Sequence, residues 1–339
     1  MLEKPPLQDQ HILKCLRLNY GLTLDGLEFL PIGNDSSAWV YKVDDDGLYY
    51  FLKVKRGDIP IASLDVPRFL HETGIEPVVA PIANNRGEYW TALDDFVLIL
   101  YPYIVGQTGM DSGLTPFQWH ELGTTLKRIH TIGFPAKFIS EVPRESFIPN
   151  RKWTKAIRSF KQMLAEAPFT DDLEREFAVF WQQHSAEIDH IVHRTETLGQ
   201  LLRNQTLPFV LCHADFHTAN VLIDDQMQIY IVDWDQPIFA PKERDLMFVV
   251  GGRIAGSGQN ELEQAFLNGY GQPDVDWLAV AYYRYEWVVQ EIGDYVDRMF
   301  FAEDAGTITK KDSLKGFMQL FQPGDVIEAA YDSEAYLTR

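Results

Sequence analysis

The sequence predicts an α+β chain, with a β-rich N-terminal lobe over residues 1–105 and a mainly helical C-terminal lobe over residues 106–339. Two observations carry this. Apolar residues fall in short strand-like runs up to residue 101, then recur at helical spacing after Gly106. A chain of 339 residues, 46% of them hydrophobic, also has enough apolar surface for two unequal cores.

Residues 11–18 read as a short helix. Trp39 to Val43 and Leu48 to Lys55 read as strands joined by Asp44-Asp45-Asp46-Gly47, and an Asp-Gly pair between such runs marks a hairpin. Residues 61–73 suit a helix that Pro67 must start or kink. Further strands are expected at Val78 to Ile82, Glu88 to Leu93 and Phe96 to Tyr101. Beyond Gly106 three apolar helix faces stand out. They are Phe117, Leu122, Leu126 and Ile129; Trp153, Ile157, Phe160 and Leu164; and Leu173, Phe177, Phe180 and Trp181. A β insertion interrupts the helices at Val210 to Leu211, Val221 to Ile223 and Ile229 to Val232, with a turn over 224–227.

Composition narrows the partners. Thirty Lys and Arg against 49 Asp and Glu leave a net charge of −19, which repels nucleic-acid backbones and suits a cationic small molecule, or simply keeps the surface soluble. The longest apolar run, Phe96 to Val105, is about half of what a helix needs to cross a membrane. Two distant cysteines, Cys15 and Cys212, fit a reducing compartment, and Met1 to Gln10 lacks the sections of a secretory signal, so a cytoplasmic location is expected.

The chemistry clusters at the β insertion. Leu211-Cys-His-Ala-Asp-Phe-His-Thr-Ala-Asn220 has the spacing His-x-Asp-x-x-x-x-Asn, and Ile231-Val-Asp-Trp-Asp235 follows it. Phosphoryl transfer from ATP needs a carboxylate to orient and deprotonate the attacking hydroxyl, and hard oxygen ligands to hold Mg2+ against the phosphates. Asp215 suits the first role; Asn220 on the same loop and Asp233 at the end of an apolar strand suit the second. His213 is expected to brace the loop through hydrogen bonds, although a catalytic histidine has the same local sequence. Asp235 either touches metal or substrate or caps nearby backbone amides.

A cation for the nucleotide phosphates is best found in Tyr49 to Lys55, where alternation places Lys53 and Lys55 on one face; Lys53 is the first choice and Lys55 its competitor. Upstream, Ile32 to Ala38 offers Gly33, Ser36 and Ser37 to cover phosphates, though with one glycine it also reads as an ordinary turn.

At these residues the chain resembles the aminoglycoside phosphotransferase family, which carries the His-x-Asp-x-x-x-x-Asn loop and a downstream Asp in the place of the protein-kinase Asp-Phe-Gly. The likeness is strongest to its spectinomycin-phosphorylating members through Leu211 to Ile223, Ile229 to Pro237 and Ala240 to Phe248, and extends weakly over almost the whole chain. It implies a protein-kinase-like two-lobe fold using ATP and Mg2+, with 1–105 as nucleotide-binding lobe and 106–339 as catalytic and substrate-binding lobe. By the same resemblance Asp215 is the base, Asn220 and Asp233 bind Mg2+, and Lys53 binds ATP phosphate. Tyr101, Tyr103 and Ile104 belong to the hinge that meets adenine, and Asp245 anchors the catalytic loop. Two departures stand out: the phosphate loop is poor in glycine, and the helix after Lys53 offers only Asp65 or Glu72 as the lysine's carboxylate partner.

The implied acceptor is a hydroxyl of an aminocyclitol or aminoglycoside, spectinomycin-like above all. Cationic sugars call for carboxylates beside flat surfaces. Tyr283, Glu286, Gln290 and Asp294 can share one helix face, as can Trp287 and Glu291, and Asp235 is a further candidate contact; the same segment also reads as an amphipathic helix with a solvated acidic side. Kinases of choline, homoserine, thiamine or amino sugars are the alternative. More remote is a metal-dependent hydrolase built on His213, Asp215, His217, Asp233 and Asp235.

Overall fold

Alternating side chains assemble the N-terminal strands into one antiparallel sheet. The structure, a computed structural model, describes residues 2–33, 35–166, 168–253 and 259–337, so Asn34 of the loop expected to cover phosphates lies outside the described residues. Helix α1 (Asp9–Tyr20) leads into strands β1 (Gly26–Leu30), β2 (Ala38–Asp45) and β3 (Leu48–Arg56). Asp46 and Gly47 connect β2 to β3 with φ of 53° and 81°, the positive pair that a two-residue type I′ turn requires. Helix α2 (Ala62–Glu72), β4 (Thr91–Leu93) and β5 (Phe96–Pro102) follow, giving the strand order β1-β2-β3-β5-β4. Trp39, Tyr41, Leu52, Val54, Leu98 and Leu100 fill one face of this sheet and are almost wholly buried, which leaves Lys53 and Lys55 on the other.

Helix α2 covers nearly the residues expected of it; it begins five residues before Pro67 and carries the proline inside it, at the loss of one helical hydrogen bond. Two expectations change. Residues 78–82 form no strand: Val78 makes an isolated bridge to Ile231, because Pro77 and Pro81 have no amide hydrogen with which to extend a ladder. The chain after residue 105 also continues in β form, as β6 (Gly106–Thr108), before turning helical.

After the short α3 (Gly109–Ser112), Thr115 and Gln118 close a capping box at the start of α4 (Pro116–Thr131), which has Pro116 in its first turn. Trp119, Leu122, Leu126 and Ile129 form its buried stripe, whereas Phe117 is 70% exposed, since five residues rotate it about 140° from Leu122. Beyond α5 (Ala136–Glu141), α6 (Arg151–Glu166) and α7 (Asp172–Arg203), the β insertion comprises β7 (Val210–Cys212), β8 (Val221–Asp224), β9 (Ile229–Ile231) and β10 (Ile238–Ala240). Strands β6, β8 and β9 make one small sheet, β7 and β10 another. Helices α8 (Glu243–Leu246) and α9 (Gln259–Tyr270) follow. Gly123 and Gly269 let α4 and α9 meet backbone to backbone; a Cβ at Gly123 would lie 2.2 Å from the Phe266 carbonyl oxygen.

By packing, the chain gathers into two units, residues 3–144 with 209–274, and residues 145–208 with 275–339. This grouping differs from a division at 105 and 106, which marks the change of period. The second unit consists of α6, α7, α10 (Trp277–Val296), α11 (Thr307–Gln319) and α12 (Val326–Leu337). Phe160, Phe177, Trp181 and Phe317 make its aromatic centre, with the Phe177 and Phe317 rings stacked at 4.2 Å. Among the described residues no helix is long and apolar enough to cross a membrane.

Candidate active site

The first unit brings Lys53, Asp215, Asn220, Asp233 and Asp235 together around two buried anchors. The innermost is Asp245, fully buried on α8. Its Oδ2 accepts the His213 backbone N–H at 2.9 Å and its Oδ1 that of Ala214 at 2.8 Å. Ala214 is thereby held at φ 74°, a left-handed conformation that a non-glycine residue adopts only when its surroundings impose it. From α4, His130 Nε2 donates to Asp245 Oδ2 at 3.0 Å, while His130 Nδ1 accepts the Tyr270 hydroxyl of α9 at 2.7 Å. Burial raises the Tyr270 pKa, so that hydroxyl keeps its proton. His130 and Tyr270 escape sequence reasoning: nothing local marks a histidine 115 residues from its partner.

The second anchor is His213. Its Nδ1 accepts the Asp215 backbone N–H at 3.3 Å, which places the ring proton on Nε2, and Nε2 donates to the Val232 carbonyl at 2.9 Å. Loop and Asp233 strand end are thus joined through one buried ring. A backbone bond from Val232 N–H to the Asn220 carbonyl, 3.0 Å, joins them again.

Within this frame Asp215 keeps a side chain that is 41% exposed. Asn220 Nδ2 donates to Asp215 Oδ2 and to its carbonyl, each at 2.9 Å, and His217 Nε2 lies 3.3 Å from Oδ1. Desolvation pushes the Asp215 pKa up, but the hydrogen bond and charge of His217, with help from His213 and Arg244, outweigh it and hold the carboxylate below its ordinary range. The amide of Asn220 is oriented by these bonds so that its Oδ1 remains an open acceptor.

Asp233 follows β9 with φ 63°, a left-handed turn that aspartate tolerates better than most residues. Lys53 Nζ donates to Asp233 Oδ1 at 2.9 Å and to Asp235 Oδ1 at 2.7 Å. The lysine's carboxylates therefore come from this segment and not from α2, where Asp65 and Glu72 face Arg68. Lys55 Nζ donates to Asp235 Oδ2 at 2.9 Å and meets Asp35 Oδ2 at the same distance. Burial works against charge on Asp235, but the two lysines prevail and hold its carboxyl well below the usual range. For Asp233, Lys53 pulls the pKa down, yet desolvation and repulsion from Asp235 and Asp215 together carry it above its ordinary value.

In the loop between β1 and β2, Gly33 has φ 91°, and Asp35 Oδ1 accepts the Ser37 N–H at 2.8 Å and hydroxyl at 2.7 Å; Ser36 lies between Asp35 and Ser37. Tyr101 is in β5 opposite Phe51, on the lysine face, while Tyr103 and Ile104 lie just past the strand, where the Tyr103 N–H donates to the Tyr49 carbonyl. Tyr283, Glu286, Trp287 and Gln290 belong to α10 of the second unit; Tyr283 and Glu286 are buried, Trp287 and Gln290 half-buried. Cys212 is wholly buried, and desolvation raises its thiol pKa, so it has no nucleophilic character. Both nitrogens of His213 are engaged inside the protein, which removes it from any set of metal ligands.

Comparison with known proteins places this geometry. The sequence profile of the phosphotransferase enzyme family matches residues 28–283. A crystal structure of spectinomycin phosphotransferase in complex with ADP and spectinomycin is 34% identical and covers 97% of this chain and 99% of that one, with a TM-score of 0.84. Protein StrN of Streptomyces griseus is 24% identical over 327 residues, 88% of this chain and 89% of the relative. An ethanolamine kinase of Plasmodium vivax shares the fold at 16% identity and a TM-score of 0.59, over 93% and 88% of the two chains.

Proposed function

The chain belongs to the phosphotransferase enzyme family, and from that premise we propose that it transfers the γ-phosphoryl group of ATP to a hydroxyl of an aminocyclitol or aminoglycoside, spectinomycin-like before any other. The observation that carries the reading is the convergence of a carboxylate with a lowered pKa, an oriented amide, a second carboxylate and a half-buried lysine at one place. The choice of acceptor rests on the likeness to the spectinomycin enzyme over nearly its whole length.

In the proposed reaction the acceptor oxygen attacks the γ-phosphorus, the bond to the bridging oxygen of ADP breaks, and Asp215 takes the hydroxyl proton. Its lowered pKa keeps it ionised for that task, and the Asn220 and His217 contacts aim its carboxylate. Lys53 would bind nucleotide phosphate, under a loop carrying Gly33, Ser36 and Ser37, with Tyr101, Tyr103 and Ile104 toward adenine. Asn220 Oδ1 and Asp233 Oδ2, which have no hydrogen-bond partner among the described residues, form a hard donor set suited to Mg2+. When bound there, Mg2+ supplies neutralisation of the phosphate charge. Recognition of the cationic acceptor through Tyr283, Glu286, Trp287 and Gln290 is part of the proposal, as is the assignment of 1–105 to nucleotide binding and 106–339 to catalysis and acceptor binding.

The test is Mg2+-dependent ADP release from ATP, measured with spectinomycin, aminoglycosides, choline, homoserine, thiamine and amino sugars against a control without acceptor. Stimulation by spectinomycin supports the full reading. Stimulation by a small metabolite alone replaces the acceptor and keeps the chemistry. No turnover with any acceptor, and no binding of nucleotide, overturns it.

A further inference from the structure

Five side chains form an unbroken series of alternating charge from the phosphate-facing loop to the metal-binding candidate: Asp35, Lys55, Asp235, Lys53 and Asp233, each joined to the next at 2.7 to 2.9 Å. We propose that Lys55 is a positioning residue, clamped between Asp35 and Asp235, that holds the glycine-poor loop and the catalytic lysine in register for the nucleotide phosphates. The inference rests on the phosphotransferase reading above.

Three features lead there. First, the loop lacks the glycines that let a backbone wrap phosphates unaided, and Asp35 supplies rigidity in their place. Its Oδ1 takes the N–H and hydroxyl of Ser37, its Oδ2 takes Lys55, and the Ser37 carbonyl accepts the Arg56 N–H of β3 at 2.9 Å. Second, α2 offers Lys53 no carboxylate. Asp233 is also the candidate metal ligand, and a metal there would draw on the charge of the carboxylate that Lys53 holds, whereas Asp235 binds the lysine through a separate carboxylate. Asp235 is itself fixed by two cations, one on each oxygen. Third, the centre of the series is withdrawn from water: the Lys53, Lys55 and Asp235 side chains are 12%, 15% and 23% exposed, against 34% and 46% for Asp35 and Asp233 at its ends. At that depth charge-assisted hydrogen bonds keep their strength, unlike pairs on an open surface.

The charges also sort the two lysines. Lys53 lies next to the candidate metal ligand, whereas Lys55 is one step further along the face, with both of its carboxylates drawn from the loop and from Asp235. Replacing Lys55 with an uncharged residue removes the cation that Asp35 and Asp235 share, and leaves Asp235 with Lys53 alone of its two lysines. The loop then keeps only its backbone bond to β3 and loses the side-chain tie, and Lys53 loses the alignment that Asp235 shares between them.

The test compares wild type with Lys55→Met, Lys55→Arg, Asp35→Asn and the Lys55→Met/Asp35→Asn double variant. The readouts are KM for ATP, kcat, and the Kd of Mg2+-ADP by calorimetry. Lys55→Met should raise KM and Kd about tenfold, the effect of losing one charge-assisted hydrogen bond, with a smaller change in kcat. Lys55→Arg should recover most of that loss, and the double variant should cost less than the sum of the single ones, because both act on one contact. Should Lys55→Met not fold, the Arg and Asp35→Asn variants still carry the comparison. KM and Kd within about twofold of wild type in Lys55→Met and Asp35→Asn, or no recovery with Arg, overturn the inference. A wild-type protein that binds no Mg2+-ADP overturns the phosphotransferase reading instead.

Discussion

Replacing Asp245 by Asn tests the anchor of the catalytic loop without touching any group that meets substrate. The carboxylate is fully buried and accepts three hydrogen bonds, from the His213 and Ala214 amides and from His130. Asn is nearly the same size but has one oxygen, so whichever way the amide turns, an NH2 group faces a backbone N–H. The less costly orientation points it at Ala214. One charge-assisted bond, worth about 1.5–3 kcal/mol, is then lost, and buried donors left unsatisfied add about 1–3 kcal/mol, for roughly 3–5 kcal/mol in total. At about 2–4 °C per kcal/mol for a unit of this size, the melting temperature should fall by roughly 10 °C. Calorimetry and urea unfolding measure it, and kcat should drop with it because Ala214 no longer has a reason to stay at positive φ. A loss below about 1 kcal/mol would refute the reasoning, since it would mean that the loop holds its shape through other contacts.

Asp215→Ala should lower kcat by about 10²- to 10⁴-fold with a smaller effect on ATP affinity, the signature of a lost general base; near-normal turnover removes Asp215 from the mechanism. Asp233→Ala should abolish the Mg2+-dependent part of ADP binding, read by calorimetry with and without a chelator, and unchanged binding moves the metal site elsewhere. The pKa of Asp235 is depressed by its lysines, so its contribution to stability is complete above the ordinary aspartate value of about 4 and is lost as pH falls through the depressed folded value. Asp235→Asn should therefore flatten the acid side of the stability profile below pH ~4; an unchanged profile contradicts the two-lysine clamp.

Much of this protein was determined by short stretches of its sequence. The hairpin at Asp46-Gly47, the alternation that separates Lys53 from Leu52, and the spacing of His213, Asp215 and Asn220 each depend on residues close together along the chain. Period and turn chemistry act over a few residues, and so they can be read directly. The family resemblance carried Asp245 and the kinase-like fold in the same way, through continuous segments. Where a local rule met a competing one, as for the prolines around Val78 and Val79 or the rotation of Phe117 off its helix stripe, tertiary pairing and geometry prevailed over pattern.

The tertiary structure alone decided which charges meet. Asp35, Lys55 and Asp235 come from a loop, a strand and a segment 180 residues further on, and His130 reaches Asp245 across 115 residues. No helix or strand period links such positions. The carboxylate partner of Lys53 shows the difference most clearly: the sequence offered Asp65 and Glu72 on the neighbouring helix, while the fold delivered Asp233 and Asp235, because the strength of an ion pair follows distance and burial in space and not separation along the chain.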